Sequence, residues 1–533
     1  MFSYRIENLR SLKDTGEIKF KPINILLGAN STGKSTFLRS FPLFKQSISS
    51  STKGPILWYG DFVDFGTFKD AINRNAEKSD IKFEFGFENN ILGELFRFRG
   101  GNKFSDSMLA NVAKLNVQIS LSNSNSEDSW RTYCNGLKLE FNHFSGEKDV
   151  VEFIFDETQK STVVVNEEVY KANVEFHSRI GSFFPTLAVP FDDKYQDWLD
   201  HDFEFPELFV TSAKKALFYS SEKKETLVNL FNSLDFLGKD DFYERVKSFQ
   251  HGGKIFLEKV DGLKVNELEF VDLRNAWISN FSSSILHGID RLLNSMFRNI
   301  NYSGPKRASV DRFYRLMDLQ VSEVDHEGNN LAMFLSSLPK TSLKKLQRWC
   351  RENFDIEVDA KEQNGNVSIY VSEKPYKYKE NVTDMGFGYS QVLPIIVSLW
   401  NKIENRRRFN MMSKNIPSIY VIEQPELHLH PKLQAKLASI LIKASLIAKK
   451  RKINLILIIE THSKEIVDRL SLIGAHNQEV KEIFQVLLFE KNGNNNTNIK
   501  STKLNEDGYL DEWPYGFFEP DSEEVFEFIE AIK

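Results

Sequence analysis

Gly28-Ala29-Asn30-Ser31-Thr32-Gly33-Lys34-Ser35-Thr36 is the stretch that decides the fold. Its pattern, G-x4-G-K-S, is that of a phosphate-binding loop. The run Ile23-Asn24-Ile25-Leu26-Leu27 leads into it, and is apolar enough for a strand covered on both faces. Phe37, Leu38 and Phe41 then continue a helix that opens near Lys34. Strand, glycine loop and helix N-terminus together make an anion cradle, with loop amides and the positive helix end aimed at the β- and γ-phosphates. Asn30, Ser31, Thr32, Gly33, Lys34, Ser35 and Thr36 are the expected nucleotide-binding residues. Lys34 would reach the phosphates and the Ser35 hydroxyl would bind Mg²⁺. A chance glycine turn shares the spacing but not the strand and helix around it. Pro42 is expected to kink or end the first part of the helix.

The chain of 533 residues is too long for one core, so two or three structural units are expected. A net charge of −5 argues against a uniformly basic nucleic-acid binder. Cys134 and Cys350 are the only cysteines, which excludes a disulfide framework and a cysteine metal site and fits a reducing cytoplasm. The first residues carry charges where a signal peptide would be apolar. No uncharged apolar run reaches the length of about 18 residues that a membrane span needs, so no membrane association is expected. The 45 phenylalanines are read as core and interface filling.

Along the chain the period changes. Ile18 and Phe20 alternate with Glu17 and Lys19 before the loop. From Ile81 to Val165 apolar residues recur at every second position, as in Phe83, Phe85 and Phe87 or Leu115, Val117, Ile119 and Leu121. That pattern predicts an antiparallel sheet. Residues 166–355 switch to helical spacing, with Leu227, Leu230, Phe231 and Leu234, then Ile285, Ile289, Leu292 and Met296. No heptad lasts more than a few turns, so long coiled-coil arms are not expected. Val367, Ile369 and Val371 restore the strand period. The expected architecture is α/β. Residues 1–165 form the first half of a nucleotide-binding domain with an antiparallel subdomain, 166–355 a mainly helical insertion, and 356–533 the second half.

Ile419-Tyr420-Val421-Ile422-Glu423 is an apolar strand ending in an acid. An acid there, across from a phosphate loop, holds Mg²⁺ through water or the Ser35 hydroxyl, and Glu423 is placed for that role. The segment Glu423-Gln424-Pro425-Glu426-Leu427-His428-Leu429-His430-Pro431 follows, and a second buried strand runs into Glu460-Thr461-His462-Ser463.

These motifs resemble the ABC-type ATPase superfamily, in the branch of overcoming-lysogenization-defect and SMC-like ATPases. There E-x-P-E-x-H-L-H-P is the Walker B motif plus D-loop, and T-H-S carries the switch histidine. Asp384 to Pro394 resembles the branch's signature sequence. The chain is also similar to AAA ATPases with a C-terminal DUF3696 segment: residues 422–431 match I-E-Q-P-E-x-H-L-H-P, Trp513–Phe518 match W-P-x-G-F-F, and Asn301–Ala308 resemble Y-x-G-P-x-R-A. The resemblance implies ATP and Mg²⁺ as ligands and a head-to-tail dimer or higher homo-oligomer. Gly386, Gly388, Ser390 and Gln391 of one copy would contact the γ-phosphate held by another. It assigns His428 and His430 to the D-loop and places His462 at the γ-phosphate.

One departure bears on catalysis. ABC enzymes follow the Walker B acid with a glutamate that activates water, and here Gln424 stands in its place. An amide orients water but takes no proton. Glu426 would substitute if its loop turns inward; otherwise it is a charge near a helix N-terminus.

Some ATPases of this branch carry a C-terminal nuclease domain with a D-x-D motif, and residues 463–533 contain none after a strand. The resemblance therefore points to a Septu-type (PtuA-like) ATPase subunit of antiphage defence. Such a subunit pairs with an HNH nuclease (PtuB-like) and is also found in retron operons beside a reverse transcriptase and its msDNA. The alternatives are a nucleic-acid-processing enzyme with its own site, a DNA-repair or SMC-like ATPase, and, ranked last, a transporter ATPase. Arg406–Arg408 and Lys449–Lys452 are basic runs, read as solvated loops first and as nucleic-acid contacts second.

Overall fold

The computed structural model describes residues 2–52, 54–76, 79–93, 95, 109–124, 131–155, 160–177, 186–188, 207–218, 224–250, 253–307, 311–317, 321–373, 378–404, 415–492, 496–505 and 510–511. Ala308, Arg406–Arg408 and Trp513–Phe518 lie outside them.

Ile23–Leu27 becomes an inner strand of a six-stranded sheet. The order is Asn301–Ser303, Ser418–Glu423, Leu455–Glu460, Ile23–Leu27, Phe484–Lys491 and Thr497–Thr502. The first five are parallel and the last is antiparallel to its neighbour. Strands from both ends of the chain thus share one ladder. Every residue of Ile23–Leu27, Ser418–Glu423 and Leu455–Glu460 is buried, which is why these stretches read as unbroken apolar runs. Asn24 is the exception in the inner strand. Its amide donates to the carbonyls of Lys21 and Leu457 and accepts from Lys21 N and Gln485 Nε2, so no polar group is stranded.

The sheet is a wall between two cores. Leu26, Val421, Ile458 and Leu487 face the core shared with a second, antiparallel sheet. Ile25, Ile422, Ile459 and Val486 face the core built with the helices Phe387–Glu404 and Pro431–Lys450.

The antiparallel sheet has ten strands, among them Phe2–Leu9, Ile81–Glu88, Val112–Asn123, Thr132–His143 and Lys148–Phe155. The helix Lys34–Ser49 lies against it. Phe41 meets Tyr4 with centroids 5.1 Å apart, Phe44 meets Phe83 edge-on at 5.0 Å, and Phe44 stacks on Phe297 at 4.6 Å. Here the phenylalanines do the packing expected of them. The helix runs on through Pro42. An interior proline costs about 3 kcal/mol, and burial of Phe41, Leu43, Phe44 and Ile48, at about 2 kcal/mol each, outweighs it.

The strand pattern does not stop at residue 165. Glu168–His177 and Thr186–Ala188 extend the antiparallel sheet. Helices follow, ending in the 31-residue Leu268–Arg298. Asn301–Ser303 then joins the parallel sheet, and Tyr314–Arg315 joins a third sheet with Ile356–Gln363, Asn366–Glu373 and Glu380–Asn381. Residues 166–355 therefore contribute to all three sheets as well as to the helices. The joining strands have only two or three residues, too few to show a period.

The long helix is fastened to the antiparallel sheet by a buried charge cluster. Arg274 donates to both oxygens of Asp149, at 2.7 and 2.6 Å, and Asn166 donates to Oδ1 at 2.9 Å. His143 Nε2 lies 2.7 Å from Oδ2. Among the described residues no helix is long and apolar enough to cross a membrane.

Candidate nucleotide site

The loop turns where the inner strand ends. Gly28 has φ +149°, and a Cβ there would lie 2.3 Å from the carbonyl oxygen of Phe489. Only glycine lets the two strands approach so closely. Gly33, with φ +95°, precedes the first helical residue. Asn30 and Ser31 are exposed at the tip, Thr36 is half-buried, and Thr32 is buried and donates to the carbonyl of Ala29 at 2.9 Å. Thr497, from the last strand of the sheet, donates to the Thr32 carbonyl at 2.7 Å and clasps the loop from outside. Lys34 is buried, and its ammonium donates to the carbonyls of Gly28 and Ala29 at 2.6 and 2.8 Å. Burial lowers its pKa.

Two parallel strands deliver acids to the same edge. Glu423 and Glu460 end neighbouring strands in register, and both are 2% exposed. The strand Leu455–Glu460 separates the loop strand from Ser418–Glu423, so Glu460 is the nearer acid. Ser35 Oγ donates to Glu460 Oε1 at 2.8 Å. Glu423, expected beside Ser35, is instead gripped by Arg39 of the loop helix, whose Nε donates to Oε2 at 3.0 Å and whose Nη2 donates to Oε1. The Tyr302 hydroxyl also donates to Glu423 Oε2, at 2.9 Å. Burial and the negative charge of Glu423 push the Glu460 pKa up to about 7.

The segment after Glu423 is tied down on its inner side. Gln424 has a left-handed φ of 44°, and its carbonyl accepts from Arg307 Nη2 at 2.9 Å. Glu426 does turn inward, and its carboxylate accepts from Thr461 Oγ1 at 2.9 Å and from the His462 amide at 2.7 Å. It therefore braces the segment Thr461–His462 that follows the strand Leu455–Glu460. Burial, and then the charge of Lys34, lower the pKa of His462. His428 and His430 are exposed. His430 caps the helix Pro431–Lys450, its Nδ1 accepting from Lys432 N.

The helix Phe387–Glu404 begins directly after Gly386. Gly386 is exposed, has φ +80° and has open space where a Cβ would stand. Gly388 packs on Leu433, which a Cβ would approach to 2.9 Å. Ser390 and Gln391 are buried, and Gln391 accepts from Arg307 Nε at 3.2 Å within its own chain. Of the four expected signature residues, Gly386 is the one facing outward.

Sequence reasoning assigns Glu460 no role, passes over Arg39, and meets Tyr302 and Arg307 only inside the Y-x-G-P-x-R-A resemblance, without a role. A signal for Glu460 is present: an apolar strand ending in an acid, as for Glu423. What the other three do shows only through contacts between distant segments.

Among the described residues no group of three or more His, Cys, Asp or Glu side chains could hold a metal ion alone. The donors beside the loop still suit the Mg²⁺ that accompanies a nucleotide, which needs only one or two carboxylates besides phosphate oxygens and water. Glu460 Oε2 is buried without a hydrogen-bond partner among the described residues, as a cation ligand would be.

Phosphate loop, buried acids and the inserted strand between them define a P-loop ATPase with a mixed α/β fold. The chain belongs to the AAA ATPase domain family, whose model matches residues 1–467. It is an ATPase of that type. Among solved structures it is similar to the SMC head domain from Thermotoga maritima, with 10% identity, 94% of this chain and 98% of that one covered, and a TM-score of 0.35. It is also similar to the Smc head domain with an extended coiled coil, bound to the C-terminal domain of ScpA, from Pyrococcus furiosus, with 10% identity, all of both chains covered and a TM-score of 0.34. A comparison with curated proteins gives no match.

Proposed function

We propose that this ATPase is a nucleotide-driven switch that engages a second copy head to tail, or a higher homo-oligomer, and gates a separate effector. The observation that carries the reading is Gly386, exposed in a left-handed turn at the start of the helix Phe387–Glu404. Backbone amides at such a helix start suit an anion brought by a neighbour, here the γ-phosphate on another copy's loop. Gln424 leaves the attacking water without a carboxylate at that position, so hydrolysis is slow and ATP acts mainly as glue. The effector that suits this reading is an HNH-type nuclease in antiphage defence, with a retron reverse transcriptase and its msDNA as a further partner. Its support is the motif resemblance.

The test is light scattering of the purified protein with a non-hydrolysable ATP analogue and with ADP. A larger species with the analogue alone is expected. Gly386→Asp, which sets a carboxylate where the phosphate would lie, should abolish that species while nucleotide still binds. Lys34→Ala should weaken nucleotide binding about a hundredfold or more, because it removes charge-assisted hydrogen bonds to the phosphates. An unchanged size with the analogue would sink the switch reading. Co-expression with an HNH nuclease then tests the effector: cleavage should depend on the nucleotide bound.

A further inference from the structure

We infer that Glu460, together with Ser35, holds the divalent cation of the bound nucleotide, and that Glu423 serves as a clamp on the loop helix. This rests on the reading of Gly28–Thr36 as the nucleotide loop.

Two acids end adjacent strands, and their surroundings differ. Both oxygens of Glu423 are engaged: Oε1 accepts from Arg39 Nη2, and Oε2 accepts from Arg39 Nε and from the Tyr302 hydroxyl. To reach a cation, Glu423 would have to give up a two-pronged, charge-assisted pair, among the stronger contacts a carboxylate makes. Glu460 gives up far less. Among the described residues its Oε1 touches only the Ser35 hydroxyl in hydrogen-bond range, and its Oε2 has no partner. A buried carboxylate oxygen without a donor is costly and calls for an explanation.

The distance supplies one. Neighbouring oxygens on octahedral Mg²⁺, each ~2.1 Å from the ion, lie about 3 Å apart. Ser35 Oγ and Glu460 Oε1 are 2.8 Å apart. The pair is therefore close enough for both groups to bind one cation, and Ser35 Oγ and Glu460 Oε1 would hold it when it arrives with the phosphates. Strand order explains why the nearer acid is Glu460: its strand adjoins the loop strand, whereas that of Glu423 lies one place further out. Glu423, through Arg39, instead ties the first turns of the loop helix to the wall of the sheet.

The experiment uses Mn²⁺ as the probe and its electron paramagnetic resonance signal as the readout. The full chain is titrated with Mn²⁺ at a saturating concentration of a non-hydrolysable ATP analogue. Wild type, Glu460→Gln, Glu423→Gln and Ser35→Ala are compared. Binding of a fluorescent ATP analogue in EDTA is measured in parallel for each, and circular dichroism checks folding. Glu460→Gln and Ser35→Ala should each weaken Mn²⁺ binding about tenfold or more, as the loss of a metal-site group does. Glu423→Gln should weaken it much less. Equal losses for the two glutamates, or a larger loss for Glu423→Gln, would overturn the assignment. If wild type fails to bind the fluorescent nucleotide with or without metal, the loop reading itself falls, and that failure is visible separately.

Discussion

The junction of the long helix with the antiparallel sheet and the edge of the parallel sheet beside the loop each bury a carboxylate. Asp149 and Glu460 are both 2% exposed. Burial would raise the Asp149 pKa, but hydrogen bonds from His143 and Arg274 outweigh it and bring it down to about 2. Burial and the charge of Glu423 raise that of Glu460 to about 7, with only Ser35, Lys34 and Arg39 pulling back. Equal burial thus gives opposite electrostatics, because one acid is fully partnered and the other half-partnered. The first arrangement fastens two elements. The second sacrifices stability at a place where a ligand can restore it.

The strongest way to break this contrast is to remove the fastening. Asp149→Ala leaves Arg274 and His143 buried beside a void, and stripping one member from a buried ion pair costs about 3–5 kcal/mol. Urea denaturation should show that loss, with the long helix released from the sheet. A loss under about 1 kcal/mol, the range of an exposed pair, would mean that the cluster fastens nothing.

Removing the half-partnered acid should act in the opposite direction. The folded pKa of Glu460 lies above its ordinary value of 4.5. The folded state therefore holds this proton more tightly than the unfolded chain does. Its contribution is fully present below pH 4.5 and is lost as pH rises to about 7. At about 1.4 kcal/mol per pKa unit the deficit above pH 7 is roughly 3 kcal/mol. Glu460→Gln cannot ionise and should escape it. Without nucleotide the variant should be more stable than wild type at pH 8, by up to about 3 kcal/mol, with the gain shrinking towards pH 5. A gain that does not change with pH would show that Glu460 does not titrate in this window.

The contrast also marks what a sequence reveals. The loop was legible from its spacing and from the strand and helix that flank it, because its conformation is local: Gly28 and Gly33 occupy backbone regions that side chains disfavour. The central strands were legible because burial on both faces leaves no polar break, as in Leu455–Ile459. Which acid stands nearest Ser35 was not legible. That depends on strand order, and two apolar strands ending in Glu look alike until one is known to adjoin the loop strand. The grip of Arg39 on Glu423 joins residues 384 positions apart. The limit drawn at residue 165 fell inside the antiparallel sheet, where Val165 turns through left-handed Asn166 and Glu167 into the next strand.

Glu426 is a further buried acid, and it sharpens the comparison because it lies between Asp149 and Glu460 in how fully it is partnered. Burial raises its pKa, while the His462 amide and the Thr461 hydroxyl oppose the rise. Two donors make it better partnered than Glu460 and less so than Asp149. Its oxygens accept from the Thr461 hydroxyl and from the His462 backbone, so it holds the segment that carries His462 in place. Glu426→Gln keeps one carbonyl acceptor and turns an NH₂ towards a donor, which should cost about 1–2 kcal/mol of stability. As a positioning residue it should change turnover by less than about tenfold, whereas loss of a general base costs about 10²–10⁴-fold. Steady-state ATP hydrolysis by the variant, set beside its urea denaturation, separates the two roles. A collapse in turnover with unchanged stability would move Glu426 from brace to base and would supply the proton acceptor that Gln424 lacks.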